Sequence, residues 1–161
     1  MKKGPKVVVI GAGSYFFGRP VIYNMVSSPI LRQGTLALVD INPETLSTML
    51  KLGQLAKDYA GAQQLEIIGS TDRREVMQDA DFVVNSFSYR NTYYRGLDTR
   101  IAARYGIRMC SSDTIGPGGI FRALRELPEV LRIAKDMHEL APAAWMINFV
   151  NPTSVLGIGL M

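Results

Sequence analysis

Five short apolar runs alternate along this chain with longer stretches whose apolar residues recur at helical spacing. Lys6-Val-Val-Val-Ile10 is β-branched and bounded by Pro5 and Gly11, the mark of a buried strand. Thr35-Leu-Ala-Leu-Val39 reads as a second strand, residues 65–68 (closed by Gly69) as a third, 82–84 as a fourth and 145–149 as a fifth. Residues 14–26 suit a helix disturbed by Pro20. Asn42 can cap the next helix with Pro43 in its first turn, and Leu52, Leu55, Ala56 and Tyr59 fall on one face of it. Residues 92–104 and 119–140 predict two more helices. The second carries Leu124, Leu127, Leu131 and Ala134 at helical spacing, with Pro128 expected to split or kink it.

Near-continuous apolar strands alternating with helices predict an α/β fold, a doubly wound parallel sheet of Rossmann type covered on both faces. Ligands in such sheets sit at the carboxyl ends of the strands. The length of 161 residues corresponds to one domain. Asn151-Pro152-Thr153-Ser154 opens a new helix close to the last residue, Met161, so the expectation is one Rossmann-type domain over residues 1–161, the N-terminal part of a longer chain.

Composition narrows the class. With 47% hydrophobic residues the chain has the content of a globular core. No apolar stretch is long enough to span a membrane, and no signal peptide is visible. The single cysteine, Cys110, makes no internal disulfide, which fits a reducing, cytoplasmic setting. The net charge of +4 includes five arginines between positions 90 and 108, either a solvated helix face or an attraction for an anionic ligand. There is no zinc pattern, RNP motif or basic helix with interleaved aromatics, so no nucleic-acid module is read.

The sharpest local signal is Gly11-Ala12-Gly13-Ser14, which follows the first strand and opens a helix. The first glycine permits a tight turn, and the second lets the backbone approach a pyrophosphate at the helix N-terminus. The third glycine of the fingerprint falls at Phe16, and Gly18 arrives two residues late, so a longer loop or looser helix packing is expected. Phe16 and Phe17 then lie beside the cofactor with Gly11, Gly13 and Ser14. Asp40 ends the second strand, where a carboxylate accepts hydrogen bonds from ribose hydroxyls and repels a 2′-phosphate, favouring NAD over NADP. Its alternative is an ordinary turn aspartate. Asn85 and Ser86 follow the fourth strand, on the nicotinamide side or as generic loop residues.

Two later segments, Ser112-Asp113-Thr114-Ile115-Gly116-Pro117-Gly118-Gly119-Ile120-Phe121-Arg122-Ala123-Leu124-Arg125 and Trp145-Met-Ile-Asn-Phe-Val-Asn151-Pro152-Thr153-Ser154, together with Gly11–Ser14 and Asp79-Ala-Asp-Phe-Val-Val84, resemble glycoside hydrolase family 4 over nearly the whole chain. That family is an NAD-dependent exception to the two-carboxylate scheme. The resemblance implies hydride removal from C3 of the sugar by NAD⁺, proton removal at C2 by a tyrosine, enediolate stabilisation by a divalent metal (usually Mn²⁺), elimination, water addition and return of the hydride. It implies that Asn151 hydrogen-bonds the sugar, that Asp113 faces it, and that residues 116–119 form a loop near ligand. Asp113-Thr114 is similar to the α-galactosidase and α-galacturonidase branches, and Arg90, Arg95 and Arg100 offer positive charge to a uronate.

The family's cysteine and histidine metal ligands and its tyrosine base are expected beyond Met161, so the metal set within this chain is none, and the 161 residues alone are expected to bind NAD without turning over glycosides. Cys110 precedes the Asp113–Gly119 motif and suits packing, and His138 lies late in a helix with no second ligand four residues on. A lactate- or malate-type hydroxyacid dehydrogenase, sharing the Rossmann start and a later Asn-Pro, and a non-catalytic NAD-binding module are the alternatives. The resemblance implies a small sugar substrate and a homo-oligomer, dimer or tetramer, at full length, and the sequence predicts neither a nucleic acid nor a membrane as partner.

Overall fold

A computed structural model of the chain describes residues 4–109 and 114–161. Strands β1 (Lys6–Ile10), β2 (Thr35–Val39), β3 (Glu66–Ser70), β4 (Phe82–Asn85) and β5 (Trp145–Asn148) form one parallel sheet in the order β3-β2-β1-β4-β5. The helices are α1 (Gly18–Ser27), α2 (Pro43–Tyr59), α3 (Arg74–Met77), α4 (Asn91–Arg104), α5 (Gly116–Leu140) and α6 (Thr153–Gly159). This is the doubly wound order around β1, with the crevice at the strand carboxyl ends. The chain divides into two compact units: one runs to Phe87 and takes up Asp136–Asn148, and the other comprises Ser88–Lys135 and Phe149–Met161. Among the described residues, no helix is long and apolar enough to cross a membrane.

The first unit holds the sheet. Val8 and Val9 point to opposite faces and both are fully buried, so β1 is covered on both sides. One face packs Val7, Val9, Leu36, Leu38 and Val84 against Ile22, Met25 and Val26 of α1 and Leu46 and Met49 of α2. Each such side chain contributes about 1.5–3 kcal/mol on burial.

Several expected boundaries move, each for a physical reason. Helix α1 begins at Gly18, four residues later than the apolar pattern implies, which puts Pro20 in its first turn, where the missing N–H is not needed. Asn42 caps α2 as expected, its side chain accepting from the amides of Glu44 and Thr45, with Pro43 opening the helix. The buried stripe of α2 is Leu46, Met49 and Gly53, flanked by Leu50 and Ala56. Leu55 and Tyr59 lie outside it, Tyr59 being 97% exposed. The sheet chooses this stripe, because Gly53 is the point of close approach: a Cβ there would stand 3.3 Å from Ile67 Cδ1. Gly69, expected to close β3, lies within it, pairing with Leu38, while Leu65 precedes the strand and is fully buried. Strand β4 gains Asn85, and β5 stops at Asn148, one residue short of Phe149.

Helix α5, whose residues up to Lys135 belong to the second unit, runs unbroken through Pro128 as one helix of 25 residues ending at Leu140. Pro128 is exposed, so the carbonyl deprived of its partner can turn to water, and the expected split does not occur. Gly116 to Gly119 form the first turn of α5 rather than the expected loop. A Cβ on Gly119 would come within 2.7 Å of the Thr114 carbonyl carbon, so the glycine is needed for the chain's own entry into the helix. Leu124 and Leu131 are exposed, and Ala123, Glu126, Val130 and Ile133 form the buried face. Helix α4 docks through charge: its buried Asp98 accepts hydrogen bonds from both terminal nitrogens of Arg125, at 3.2 and 2.6 Å, and the Arg125 guanidinium stands 4.8 Å from the Tyr94 ring.

Candidate dinucleotide site

Strand β1 delivers the chain to Gly11, whose φ of +82° is open to glycine and strained for most other residues. The amides of Gly11 and Ala12 both donate to the Val39 carbonyl, at 2.9 and 3.0 Å, so the turn is sewn to the end of β2. Ser14 closes it, its amide donating to the Gly11 carbonyl at 3.1 Å. The Ser14 hydroxyl oxygen accepts from the Phe17 amide at 3.3 Å, and its carbonyl accepts from Gly18 at 2.8 Å. Ser14 thus caps the approach to α1. Among the described residues, the amides of Tyr15 and Phe16 find no acceptor in the protein. A turn with unpaired amides ahead of a helix N-terminus suits an anion.

The glycines divide the work differently from the three-glycine fingerprint. A Cβ on Gly11 would lie 2.7 Å from the Phe87 Cα. One on Gly13 would lie 2.4 Å from Thr45 Cγ2, and one on Gly18 only 2.0 Å from the Ala12 carbonyl oxygen. Gly18 therefore takes the close-packing role that the fingerprint gives to position 16. The loop is longer by two residues, and the helix still packs tightly. Phe16 is 79% exposed, and Phe17 opens α1 as its N-cap.

Asp40 follows β2 and spans the turn. Its Oδ2 accepts from the Gly13 amide at 2.8 Å and its Oδ1 from the Asn42 amide at 3.0 Å. The carboxylate fixes the second glycine and still has a further lone pair on each oxygen. Ser86 is buried, its hydroxyl 3.2 Å from each of the Ile10 and Gly11 carbonyls. Asn85, beside Ile10 in the ladder, is fully buried with both side-chain polar atoms unpartnered.

The sugar-side candidates lie in the second unit, each described there. Asn151 is half-buried ahead of α6, and its Oδ1 accepts from the Thr153 hydroxyl at 3.4 Å. Arg95 is exposed on α4, at the rim of a small polar cavity lined also by Asp98, Arg122, Arg125 and Glu126. Arg100 lies in an open groove of α4 with Tyr93 and Thr99, and the Arg90 guanidinium stands 5.0 Å from the Tyr93 ring. Asp113 and Cys110 lie outside the described residues. His138 is exposed in the last turn of α5. Among the described residues, no group of three His, Cys, Asp or Glu could hold a metal ion.

Sequence reasoning missed Gly18 as a packing glycine and missed the buried ionic cluster of Asp98, Arg122, Arg125 and Glu126. The four-residue spacing of Arg122 and Glu126, whose charged groups approach to 3.8 Å, was the available signal.

The profile of the family 4 glycosyl hydrolases matches residues 6–160. A Bacillus subtilis protein named probable 6-phospho-beta-glucosidase is 39% identical over 164 residues, covering 100% of this chain and 36% of the relative. An alpha-galactosidase of the same organism is 37% identical, covering 94% and 35%. Among solved structures, Bacillus subtilis lplD superposes with a TM-score of 0.86 at 29% identity, covering 98% of this chain and 35% of the other. A 6-phospho-alpha-glucosidase from gut microorganisms, solved in complex with NAD and Mn²⁺, gives 0.84 at 22% identity over 98% and 35%, a likeness of fold. The chain spans about a third of the length of the curated relatives it matches. By the match over residues 6–160, this chain belongs to glycosyl hydrolase family 4.

Proposed function

We propose that residues 1–161 are the NAD-binding domain of a family 4 glycosidase acting on a non-phosphorylated α-galactoside or galacturonide. The observation that carries the cofactor reading is the turn after β1. Gly13 is held by the Asp40 carboxylate at the carboxyl end of β2, with the unpaired amides of Tyr15 and Phe16 following. In this reading those amides receive the pyrophosphate, and the spare lone pairs of Asp40 accept the adenosine ribose hydroxyls. A 2′-phosphate there would meet a carboxylate. Ser86 keeps the carboxyl end of β4 against β1, on the nicotinamide side. Bound NAD⁺ supplies a hydride acceptor for C3 of the sugar. Asn151 and Arg95 orient the sugar hydroxyls.

The sugar class rests on Asp113-Thr114, a pair similar to the α-galactosidase and α-galacturonidase branches, whose carboxylate opposes a doubly charged 6-phosphate, while Arg90, Arg95 and Arg100 offer positive charge to a uronate. Relatives named for both classes, 6-phospho-beta-glucosidase and alpha-galactosidase, are similarly identical to this chain, at 39% and 37%. The lone cysteine supports a cytoplasmic setting, and the family resemblance supports a homo-oligomer.

The test is calorimetric titration of the 161-residue chain with NAD⁺ and with NADP⁺. The expected result is NAD⁺ binding with NADP⁺ at least about tenfold weaker, the effect of about 1.4 kcal/mol of repulsion at Asp40. Equal binding of both, or binding of neither, overturns the cofactor reading.

A further inference from the structure

We propose that Glu126 is a positioning residue whose ionised carboxylate fixes the turn at residues 88–90, and that its protonation loosens that turn and weakens NAD⁺ binding.

Glu126 lies on the buried face of α5 and is 2% exposed. Its Oε1 accepts from the Ser88 hydroxyl at 3.0 Å and from the Tyr89 amide at 3.3 Å. Its Oε2 is buried without a partner. The charged and titratable groups around it are Arg122 and Arg125 on α5, Tyr94, Arg95 and Asp98 on α4, and Tyr89 in the turn. Burial pushes the Glu126 carboxyl above the ordinary carboxylate range. Hydrogen bonds from Ser88 and Tyr89 and the charges of Arg122 and Arg125 pull it back only in part. The ionised form is therefore a net cost to the fold, and a glutamine of the same shape would avoid it.

What the carboxylate offers that an amide does not is a charged acceptor, roughly twice as strong as a neutral one, on Ser88 and Tyr89. That turn needs holding. Arg90 has φ +44°, a left-handed conformation unfavourable for arginine, and as N-cap of α4 it makes no side-chain capping bond. Ser88 directly follows Ser86 and Phe87, which seat the Gly11 turn through the Ser86 hydroxyl and the Phe87 backbone. Chain continuity thus links the hold on residues 88–90 to the turn that receives the cofactor, and the second half of the inference rests on the NAD reading above.

The experiment compares the 161-residue wild type with Glu126→Gln and Ser88→Ala. Hydrogen-exchange protection of the Tyr89 amide and NAD⁺ affinity by calorimetry are each followed from about pH 4 to 9. In the wild type, protection should rise and the NAD⁺ Kd fall by about fivefold as Glu126 ionises, the step from a neutral to a charge-assisted acceptor. Glu126→Gln should stay flat at the low-pH values. Ser88→Ala removes a donor to the carboxylate and should move the midpoint to higher pH. Identical Tyr89 profiles in wild type and Glu126→Gln overturn the positioning role. Failure of NAD⁺ to bind at any pH, with protection of the Tyr89 amide still pH-dependent in the wild type alone, refutes the cofactor reading and the link to it while leaving the hold on the turn standing. NAD⁺ binding with one pH profile in both proteins refutes the link alone.

Discussion

Replacing Asp40 by alanine removes two acceptors at once, and the structure separates their worth. The Asn42 amide is exposed, so water replaces the carboxylate there at little cost. The Gly13 amide is part-buried, bonded to Oδ2 at 2.8 Å, and loses a charged acceptor. An unsatisfied buried donor costs about 1–3 kcal/mol, so Asp40→Ala should destabilise the chain by about 2 kcal/mol. For a chain of this size that lowers Tm by about 4–8 °C. Asp40→Asn retains one oxygen for one of the two amides and should lose about half as much. Urea unfolding monitored by far-UV circular dichroism measures both: the midpoint should fall while the slope stays constant. A change within about 0.5 kcal/mol for Asp40→Ala would show that the carboxylate does not hold the turn, and its position would then have to be explained by ligand contacts alone.

Gly18→Ala places a methyl 2.0 Å from the Ala12 carbonyl oxygen, so the helix or the turn must shift. A loss at or above the upper end of the about 1–3 kcal/mol typical of overpacking is expected in denaturation, and a neutral outcome would remove Gly18 from the close-packing role. Asp136, buried and hydrogen-bonded by Arg73 at 2.6 Å and by Arg74, has its carboxyl held below the ordinary range because these bonds outweigh its desolvation. Its contribution is present above the ordinary carboxylate pKa and is lost as pH falls through the depressed one. The stability gap between wild type and Asp136→Asn should therefore close on acidification below about pH 4, and a gap constant from pH 7 to 3 would refute the pairing. Arg125→Met leaves Asp98, only 5% exposed, without its bidentate partner and should cost about 3–5 kcal/mol. Adding Asp98→Leu should recover much of that, and a double mutant as unstable as the sum of the singles would contradict a buried charge as the cause.

The five strands, their parallel arrangement and the turn at Gly11 were legible because each is written locally. A β-branched run bounded by turn residues states its own conformation, and a glycine at φ +82° has few substitutes. Asn42 and Pro43 likewise announced the start of α2 through capping chemistry confined to a few neighbouring residues. Choices between similar local options were decided by tertiary structure. Several stripes of α2 are apolar enough to bury, and the sheet selects the one centred on Gly53 because only there can the helix approach Ile67. Gly18 rather than position 16 became the packing glycine because the Ala12 carbonyl lies against it, a contact between residues whose spacing the sequence does not convert into distance. The Asp98–Arg125 pair and the hold of Glu126 on Ser88 span 27 and 38 positions, and their energies depend on burial that no local pattern encodes. The sequence by itself thus determined the five strands, the long helices between them and where the backbone must turn tightly, while the short α3 carried no local signal. Only the tertiary structure decided which faces lose their water and which charges are left to satisfy one another, because desolvation is a property of the packed neighbourhood and not of the residue.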